Sequence, residues 1–427
     1  MLKRLLLIGI YTILCLCCSV AFARDIRVGL VEKQATVELS CDDEFVVQDG
    51  DKESILPRGK YFVHIKDGKL FFDDKLAFNS GIAIRRTEGK QLPLVNQRAY
   101  KGSLQVLTRH ERLTVVNRVE LEAYLASVLP AKTMVVWPDE AVKAQAVAAR
   151  TYAMYMAEQN SAKDFDLNAN DVELTYHGTG KNIERPSITR LIMATAGQHL
   201  VDSAGQLIKA VSTSSSGGRT ESAINLWGQN LNYLQSVDDY DSDSPDGKWE
   251  YKATPAFVET LLAQRGYVTG KLNSVRLSPL DEKGIDRSPT GRVRYLIFAG
   301  EAGVARVSGQ ELAEILGLSS LLFDIETGTP PPETLKVPIE NYYGMEIGSK
   351  DIDIKLQEES KPVWKNLLRS YHMLSGGREE KIIFRGSGRG SGVGLSAWGA
   401  RGMANASDKN TYLTILQHYY IETHLVK

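Results

Sequence analysis

The clearest indication of the fold is the segment Trp137–Ala153, WPDEAVKAQAVAARTYA. Pro138 suits the first turn of a helix, and Asp139 and Glu140 complement the positive end of the helix dipole. The residues that follow are rich in alanine, so the pattern predicts a helix from Asp139 to about Glu158. Because small side chains allow neighbouring elements to approach closely, we expect this helix to be central.

Three charged residues lie on one side of this predicted helix. Glu140, Lys143 and Arg150 are spaced i, i+3 and i+10, which places them within an arc of roughly 80° at about 100° per residue. A charge on a buried helix has to be paired or used, because its desolvation is costly. The stripe therefore predicts either a structural ion-pair network or the charged side chains of a functional site.

The residues before this helix have the pattern of a β-rich part. Apolar and alternating segments are separated by Gly and Asp clusters such as Asp49–Asp51. The predicted strands are residues 26–30, 35–39, 61–65, 81–84 and 113–116. A short helix at Val119–Leu129 is expected to end at Pro130. The fold class is predicted as α+β, with a small N-terminal β lobe and the Ala-rich helix packed on a mixed sheet.

The rest of the chain alternates helical and strand patterns. The predicted helices are residues 255–266, 308–316 and 412–420, with a helix end at 191–197. The predicted strands are residues 199–201, 208–212, 275–277 and 293–298. We expect a signal peptide at 1–23, a β-rich part at 24–116, a core made of 117–328 and 383–427, and an insertion at 329–382 that begins near the proline-rich Gly328–Glu333.

The N-terminus has the features of a secretory signal. Lys3 and Arg4 precede an apolar run from Leu5 to Val20, and Ala21–Ala23 forms an A-x-A cleavage site. The apolar run has about 16 residues, fewer than the ~20 of a spanning helix, which favours a cleaved signal over a membrane anchor. The mature chain is therefore predicted to be exported and to be periplasmic, cell-wall-associated or extracellular.

Cysteine content and charge exclude several classes of protein. Three of the four cysteines lie in the predicted signal, so Cys41 remains alone and neither an intramolecular disulfide nor a cysteine-based zinc site is expected. Removal of the signal changes the formal charge from −1 to −3, and such a nearly neutral chain argues against nucleic-acid binding. Asp239, Asp241 and Asp243 have the spacing of a calcium loop, but Ser244 stands where that loop needs Gly. We expect neither a metal nor a cofactor.

Two further segments are rich in serine and glycine: Ser214–Gly228, SSSGGRTESAINLWG, and Gly388–Ala404, GRGSGVGLSAWGARGMA. Together with the Ala-rich helix they resemble the SpoIID/LytB family. The matching blocks, in the family's order, are Thr114–Pro130, Trp137–Ala153, Ser214–Gly228, Thr290–Phe323, Gly388–Ala404 and Ile415–Tyr420. The resemblance implies action on peptidoglycan. Family members cleave glycan strands, often ones stripped of stem peptides, as lytic transglycosylases, or they stimulate amidases that remove those peptides.

Three departures concern the residues that carry the family's chemistry. The family's catalytic Glu stands eight residues before the position of Glu140, and Lys132 occupies that place. In the Gly-rich signature, usually G-H-G-V-G-M-S-Q, Ser391 and Ala397 replace His and Gln. The Cys/His zinc site of some members has no cysteine here. A lysine that donates a proton near neutral pH needs a pKa lower by roughly 3 units, which corresponds to about 4 kcal/mol.

The resemblance and the charge pattern give the candidate site. The candidate catalytic residues are Lys132, Asp139, Glu140 and Arg150, and the candidate substrate-binding residues are Lys143, Ser215, Ser216, Gly217, Gly218, Trp227, Ser391, Gly392, Gly394, Ser396 and Trp398. The carboxylates nearest Lys132 in sequence are those of Glu120, Glu122, Asp139 and Glu140. Asp139 is the one most particular to this chain, although its place in the first helical turn also fits the helix dipole.

Two functions of different class remain open. One is a lytic transglycosylase with a displaced acid, and the other is a non-catalytic glycan-binding or amidase-enhancing protein. The expected partners are peptidoglycan glycan strands and a peptidoglycan amidase, and no oligomeric state is predicted. A carboxylate beside Lys132 would favour the enzyme. A groove lined only by Lys132, Ser391 and hydroxyls would favour the binding protein.

Overall fold

The structure is a computed structural model that describes residues 24–79, 81–133, 137–180, 182–281, 284–328, 334–340, 346–353, 369–377 and 379–427. The predicted signal at 1–23 and much of the predicted insertion at 329–382 lie outside the described residues. No helix within the described ranges is both long enough and apolar enough to span a membrane.

Among the described residues, the first half of the chain consists mostly of strands, with helices from Leu121 onward. The strands are β1 (Asp25–Gln34), β2 (Thr36–Cys41), β3 (Phe45–Asp49), β4 (Lys52–Leu56), β5 (Gly59–Lys66), β6 (Lys69–Phe72), β7 (Leu76–Phe78), β8 (Gly81–Arg86), β9 (Leu94–Val95), β10 (Arg98–Ala99), β11 (Ser103–Arg109), β12 (Arg112–Glu120), β13 (Leu167–Asn168) and β14 (His199–Val201). The helices are α1 (Leu121–Lys132), α2 (Asp139–Gln159) and α3 (Pro186–Ala194).

The second half mixes short strands and helices. The strands are β15 (Ser212–Thr213), β16 (Trp249–Ala253), β17 (Leu272–Arg276), β18 (Tyr295–Gly300), β19 (Gly303–Ser308), β20 (Phe323–Thr327), β21 (Thr334–Glu340), β22 (Glu346–Asp353), β23 (Tyr371–Met373), β24 (Ile382–Gly386), β25 (Leu395–Ser396) and β26 (His424–Val426). The helices are α4 (Ala223–Trp227), α5 (Pro255–Gln264), α6 (Gly309–Leu316), α7 (Ala397–Ala406) and α8 (Tyr412–Tyr419).

The chain divides into two compact units, one formed by the residues up to Ala210 with His424–Lys427 and the other by Val211–Thr423. The first unit contains a mixed sheet in the order β13-β1-β12-β11-β8-β3-β4, in which only the β13–β1 pair is parallel, and an antiparallel sheet in the order β10-β9-β2-β5-β6-β7. His110 and Glu111 both have positive φ and form the two-residue turn between β11 and β12, as twisted hairpins require.

Helix α2 has the bounds and the central position in its unit that the sequence predicts. Residues 141–153 are buried except Lys143, and the helix packs against α1, α3 and β1. The alanines allow this close packing. The predicted end of α1 at Pro130 is wrong, because the helix continues to Lys132 with Pro130 inside it. A proline so near the C-terminus removes only one intrahelical hydrogen bond, and the Thr133 hydroxyl donates to the Leu129 carbonyl oxygen at 3.0 Å.

The second unit has its core between small sheets and helices. Strands β16-β24-β20 form one sheet and β19-β18-β17-β23 another, and the core includes Phe298, Phe323 and Phe384, each fully buried. The predicted helices at 255–266, 308–316 and 412–420 are confirmed within two residues. The predicted strand at 208–212 is wrong apart from its last residue, because a short parallel pairing with β25 begins only at Ser212. The α+β class is confirmed.

Candidate functional site

Lys132, at the position of the family's acid, is the last residue of α1. Its Nζ lies 4.0 Å from Oε2 of Glu173, and the two side chains are 29% and 14% exposed. Glu173 belongs to the loop between β13 and α3 and is 41 residues further along the chain. The carboxylate that the structure brings to Lys132 is thus not one of those nearest to it in the sequence.

The loop that carries Glu173 is fixed from two sides. Asp171 Oδ1 accepts from the Glu173 amide at 2.9 Å, which makes an Asx turn, and the Tyr152 hydroxyl on α2 donates to Asp171 Oδ2 at 3.3 Å. The Tyr176 hydroxyl donates to Asn117 Oδ1 of β12 at 2.9 Å. These contacts hold the loop against the helix and the sheet, so that Glu173 has a defined place next to α1.

The electrostatics of this cluster favour unequal protonation of its members. Burial lowers the pKa of Lys132, and the negative charges of Glu173 and Asp171 oppose that shift without cancelling it. Burial also raises the pKa of the Tyr152 hydroxyl, with the charges of Asp171 and Glu173 adding to the effect. Tyr152 therefore stays protonated and donates to Asp171, while Lys132 is a more acidic ammonium than an exposed lysine.

Arg150 occupies a buried position that uses its guanidinium within the fold. Its side chain is 1% exposed, and Nε and Nη2 donate to the two carboxylate oxygens of Glu122 at 2.8 and 2.7 Å. Nη1 donates to the Gln198 carbonyl oxygen at 3.0 Å and Nη2 to that of Ile192 at 3.2 Å. Of the two interpretations of the charged stripe, this geometry favours a structural ion pair for Arg150, joining α2 to α1 and α3.

The other charges at the start of α2 form pairs near the surface. Glu140 Oε1 lies 2.6 Å from Lys143 Nζ, with both side chains partly exposed. Asp139 Oδ2 lies 3.0 Å from an Nη of Arg190, and both are mostly exposed. In the described contacts, these two carboxylates pair with Lys143 and Arg190, while Glu173 is the carboxylate paired with Lys132.

In the second unit, the Ser-rich loop is held by two carboxylates. Ser215 donates to Asp241 and Ser216 donates to Asp239, each at 2.5 Å, and the Gly217 amide donates to Asp241 at 2.8 Å. Both serines are 1% exposed. The Asp-x-Asp spacing therefore serves to fasten the loop rather than to form an open acidic loop. Gly218 remains exposed at the tip.

The same network contains two carboxylates whose pKa values move in opposite directions. Burial raises the pKa of Asp239, with the charge of Asp241 adding to it, and the Tyr419 hydroxyl donates to Asp239 at 2.6 Å. Burial alone would raise the pKa of Glu221 as well, but hydrogen bonds outweigh it and the pKa is lowered. The donors to Glu221 are Ser288, Thr290, Asn225 and the Ser222 amide.

The Gly-rich segment packs against the Ser-rich loop, and its glycines are required by that packing. Gly388, Gly390, Gly392 and Gly394 all have φ between +76° and +103°. A Cβ on Gly392 would lie 2.1 Å from the Arg292 guanidinium, and one on Gly394 would lie 2.1 Å from the Val211 carbonyl oxygen. The alternation of glycine in this segment is therefore a consequence of close backbone contacts.

Few of the predicted substrate-binding residues in this unit face solvent. Ser396 is fully buried and caps α7 by accepting from the Gly399 amide at 3.0 Å. Ser391 is partly buried, and its hydroxyl accepts from the Val393 amide at 3.2 Å. Trp227 and Trp398 are partly exposed, and the Arg401 guanidinium lies 5.1 Å from the Trp398 ring centre. Gly218 is thus exposed, and Gly217, Ser391 and the two tryptophans are partly exposed.

The predicted site residues fall into both units. Lys132, Asp139, Glu140, Lys143 and Arg150 belong to the first unit, and the serine, glycine and tryptophan candidates belong to the second. Within each unit the structure brings together the groups described above.

The residues that the sequence analysis missed are Glu173, Asp171 and Tyr152. The segment Asn168–Glu173, NANDVE, is rich in turn-forming residues, which indicates a loop and an Asx turn. Its approach to Lys132 has no local signature, because the two residues meet only through the packing of α1, α2 and the loop.

Comparison with known proteins adds to this geometry. The family described as Stage II sporulation protein, SpoIID, matches residues 109–201. This segment contains α1, α2, Lys132 and Glu173. The SpoIID resemblance predicted from the sequence is confirmed, and the chain shares the family's domain over this segment.

Individual relatives extend the similarity beyond that segment. An uncharacterized protein of Brachyspira hyodysenteriae is 27% identical over 344 residues, which cover 80% of this chain and 76% of that protein. The Amidase enhancer of Bacillus subtilis is 25% identical over 92% of this chain and 52% of its own length. Stage II sporulation protein D of Bacillus subtilis is 30% identical over 49% of this chain and 61% of its own length. The chain thus spans about half of the amidase enhancer.

Proposed function

We propose that this protein is an exported cell-wall protein that acts on peptidoglycan glycan strands as a SpoIID-like lytic transglycosylase, with Lys132 in place of the usual acid. The observation that carries the proposal is the Glu173 carboxylate 4.0 Å from Lys132 Nζ. It sets a group capable of proton transfer beside Lys132, the residue that stands where the family has its catalytic Glu. The two side chains keep some exposure, at 29% and 14%, as contact with a substrate requires.

The proposed reaction asks little of the protein beyond proton transfer and positioning. The muramic acid C6 hydroxyl attacks C1 and the glycosidic oxygen leaves, so one proton has to be delivered and one removed. Ser391, Trp227 and Trp398, which retain exposure, are the proposed sugar contacts, since aromatic faces and hydroxyls suit saccharides.

The test uses residues 24–427 with denuded glycan strands and reads the soluble products by mass spectrometry. Products that end in 1,6-anhydromuramic acid support the proposal. Glycan that pellets with the protein while nothing is released contradicts it. Export is tested in parallel by the N-terminal sequence of the secreted chain, which should begin at Arg24.

A second candidate is a non-catalytic glycan-binding or amidase-enhancing protein, and one observation favours it. The Glu173 carboxylate lies 4.0 Å from the Lys132 ammonium, so an ion pair, rather than a carboxyl group alone, occupies the region of the family's acid position. The likeness to the Amidase enhancer over 92% of the chain is consistent with this candidate. It predicts faster release of stem peptides when a peptidoglycan amidase is mixed with this protein, and glycan cleavage only after Lys132→Glu.

A further inference from the structure

Lys132 and Glu173 are close enough for one to donate a proton and the other to accept one in the same reaction. At 4.0 Å, Nζ and Oε2 are close enough to exchange a proton through a small movement or one bridging water. The two groups come from α1 and from the loop after β13, and Asp171 with Tyr152 keeps that loop in place. A fixed ammonium and a fixed carboxylate side by side are a ready donor and a ready acceptor.

Resting on the proposed function, we propose that Lys132 and Glu173 share the proton transfers that a single Glu performs elsewhere. The Lys132 ammonium donates a proton to the leaving glycosidic oxygen. The Glu173 carboxylate accepts the proton of the attacking C6 hydroxyl. Both residues are then catalytic residues in this protein.

The step balances without any further reactant. The bond between C1 of the muramic acid residue and O4 of the next sugar breaks. Its electron pair stays on that O4, which takes a proton from Lys132. The C6 oxygen forms a new bond to C1 and gives its proton to Glu173. A proton then passes from the Glu173 carboxyl to the Lys132 amine, which restores the ion pair and consumes no water.

The environment suits these roles. An exposed lysine is a weak donor near neutral pH because its pKa is far above the pH. Burial lowers the pKa of Lys132 and brings its acidity closer to that of an efficient general acid. A carboxylate oxygen can accept the proton of the C6 hydroxyl, and Oε2 of Glu173 lies 4.0 Å from Lys132 Nζ.

The experiment measures release of 1,6-anhydromuramic products from denuded strands by residues 24–427 and by single variants. Lys132→Arg keeps the positive charge but cannot donate near neutral pH, and Glu173→Gln keeps shape but cannot accept. Each variant should lose roughly 10²- to 10⁴-fold in rate, with glycan pelleting unchanged. The double variant should lose about as much rate as the single variant with the larger loss, because the residues act as one unit.

A matched control exists in the same unit. Lys60 and Glu38 form an ion pair at 2.7 Å with 52% and 15% exposure, and Lys60→Arg and Glu38→Gln should leave product release as in the unchanged chain. Glu173→Asp keeps a carboxylate and should retain part of the rate of product release. Such a partial rate would show that the loss in Glu173→Gln comes from the missing carboxylate and not from misfolding. Circular dichroism melting checks that each variant is folded.

The outcomes separate the two proposals. If the unchanged chain cleaves and Glu173→Gln or Lys132→Arg stays within threefold of it, the division of labour is wrong while the lytic function stands. If the unchanged chain pellets with glycan and cleaves nothing, the lytic function and the relay both fall. Cleavage with a loss of 100-fold or more in both variants supports the relay.

Discussion

Two polar clusters, one in each unit, differ in how far their side chains are buried. In the first, Lys132 and Glu173 lie 4.0 Å apart and both remain partly exposed. In the second, the serines of the Ser-rich loop are buried and bonded to Asp239 and Asp241 at 2.5 Å. A buried hydroxyl that already has a carboxylate partner holds structure, whereas a partly exposed ion pair keeps contact with solvent.

The comparison also separates charges that look alike in the sequence. Arg150 and Lys132 both belong to the SpoIID segment, yet Arg150 is bound by a carboxylate and two carbonyl oxygens inside the protein. Exposure and the number of protein partners therefore distinguish a structural charge from a candidate functional one.

The largest effect on stability is expected for Arg150→Ala. The variant leaves the Glu122 carboxylate, 12% exposed, without its bidentate partner, and losing one member of a buried pair costs about 3–5 kcal/mol. Urea unfolding followed by circular dichroism measures the free energy of unfolding. Arg109→Ala is the control, because Arg109 pairs with Asp164 at 2.8 Å on the surface and should cost less than about 1 kcal/mol. Equal losses in the two variants would show that Arg150 is not structural.

A second large effect is expected for Gly394→Ala in the Gly-rich segment. Gly394 has φ +76°, and its added Cβ would lie 2.1 Å from the Val211 carbonyl oxygen. A left-handed alanine costs about 1–2 kcal/mol, and the forced backbone shift adds about 1–3 kcal/mol. Thermal and urea unfolding measure the loss.

Gly317→Ala is the matched control for Gly394→Ala. Gly317 has φ +68° with open space around the Cβ position. The free energy of unfolding of this variant should therefore fall only by the cost of a left-handed alanine, about 1–2 kcal/mol. If both glycine variants lose the same stability, the close packing of the Gly-rich segment is not what requires glycine there.

Glu221 and Asp239 of the second unit should make contributions to stability that change with pH in opposite directions. Glu221 has a lowered pKa, so its contribution to stability is present above its unfolded pKa and is lost as the pH falls through its folded pKa. Asp239 has a raised pKa, so its contribution is present below its unfolded pKa and is lost as the pH rises through its folded pKa.

The two variants should therefore change acid stability in opposite senses. Glu221→Gln should flatten the loss of stability between about pH 7 and pH 3, and Asp239→Asn should steepen it, by roughly 1.4 kcal/mol per unit of pKa shift removed. Urea unfolding at several pH values gives both slopes. Parallel curves for the two variants would contradict the assignment.

How much the sequence predicts depends on whether the cause is local. Helix α2 was predicted with nearly its observed bounds, because proline, acidic first-turn residues and alanines act within one segment. The approach of Glu173 to Lys132, and that of Ser216 to Asp239, join residues far apart in the chain. No local pattern carries such a contact.

The glycine pattern is clear in the sequence, but it does not reveal what the glycines contact. The sequence shows that Gly388–Gly394 alternates glycine, but whether the glycines face a ligand or another part of the chain depends on tertiary packing. The structure places the Val211 backbone and the Arg292 guanidinium there. A pattern that resembles a sugar-binding loop is thus, in this unit, largely a packing requirement.

The smallest effect on stability is expected for Asp139→Asn, and this variant also decides between two carboxylates. Asp139 and Arg190 are 54% and 66% exposed and 3.0 Å apart, so the lost ion pair is worth about 0–1 kcal/mol. Asp139 lies in the first turn of α2, where a negative charge adds about 0.3–1 kcal/mol through the helix dipole. The difference in unfolding free energy should shrink at about 1 M salt, where the screening length is ~3 Å. In the same preparation, a 100-fold loss of glycan cleavage would assign proton transfer to Asp139, as its sequence position allows. Glu173 would then not be the residue that accepts the C6 hydroxyl proton.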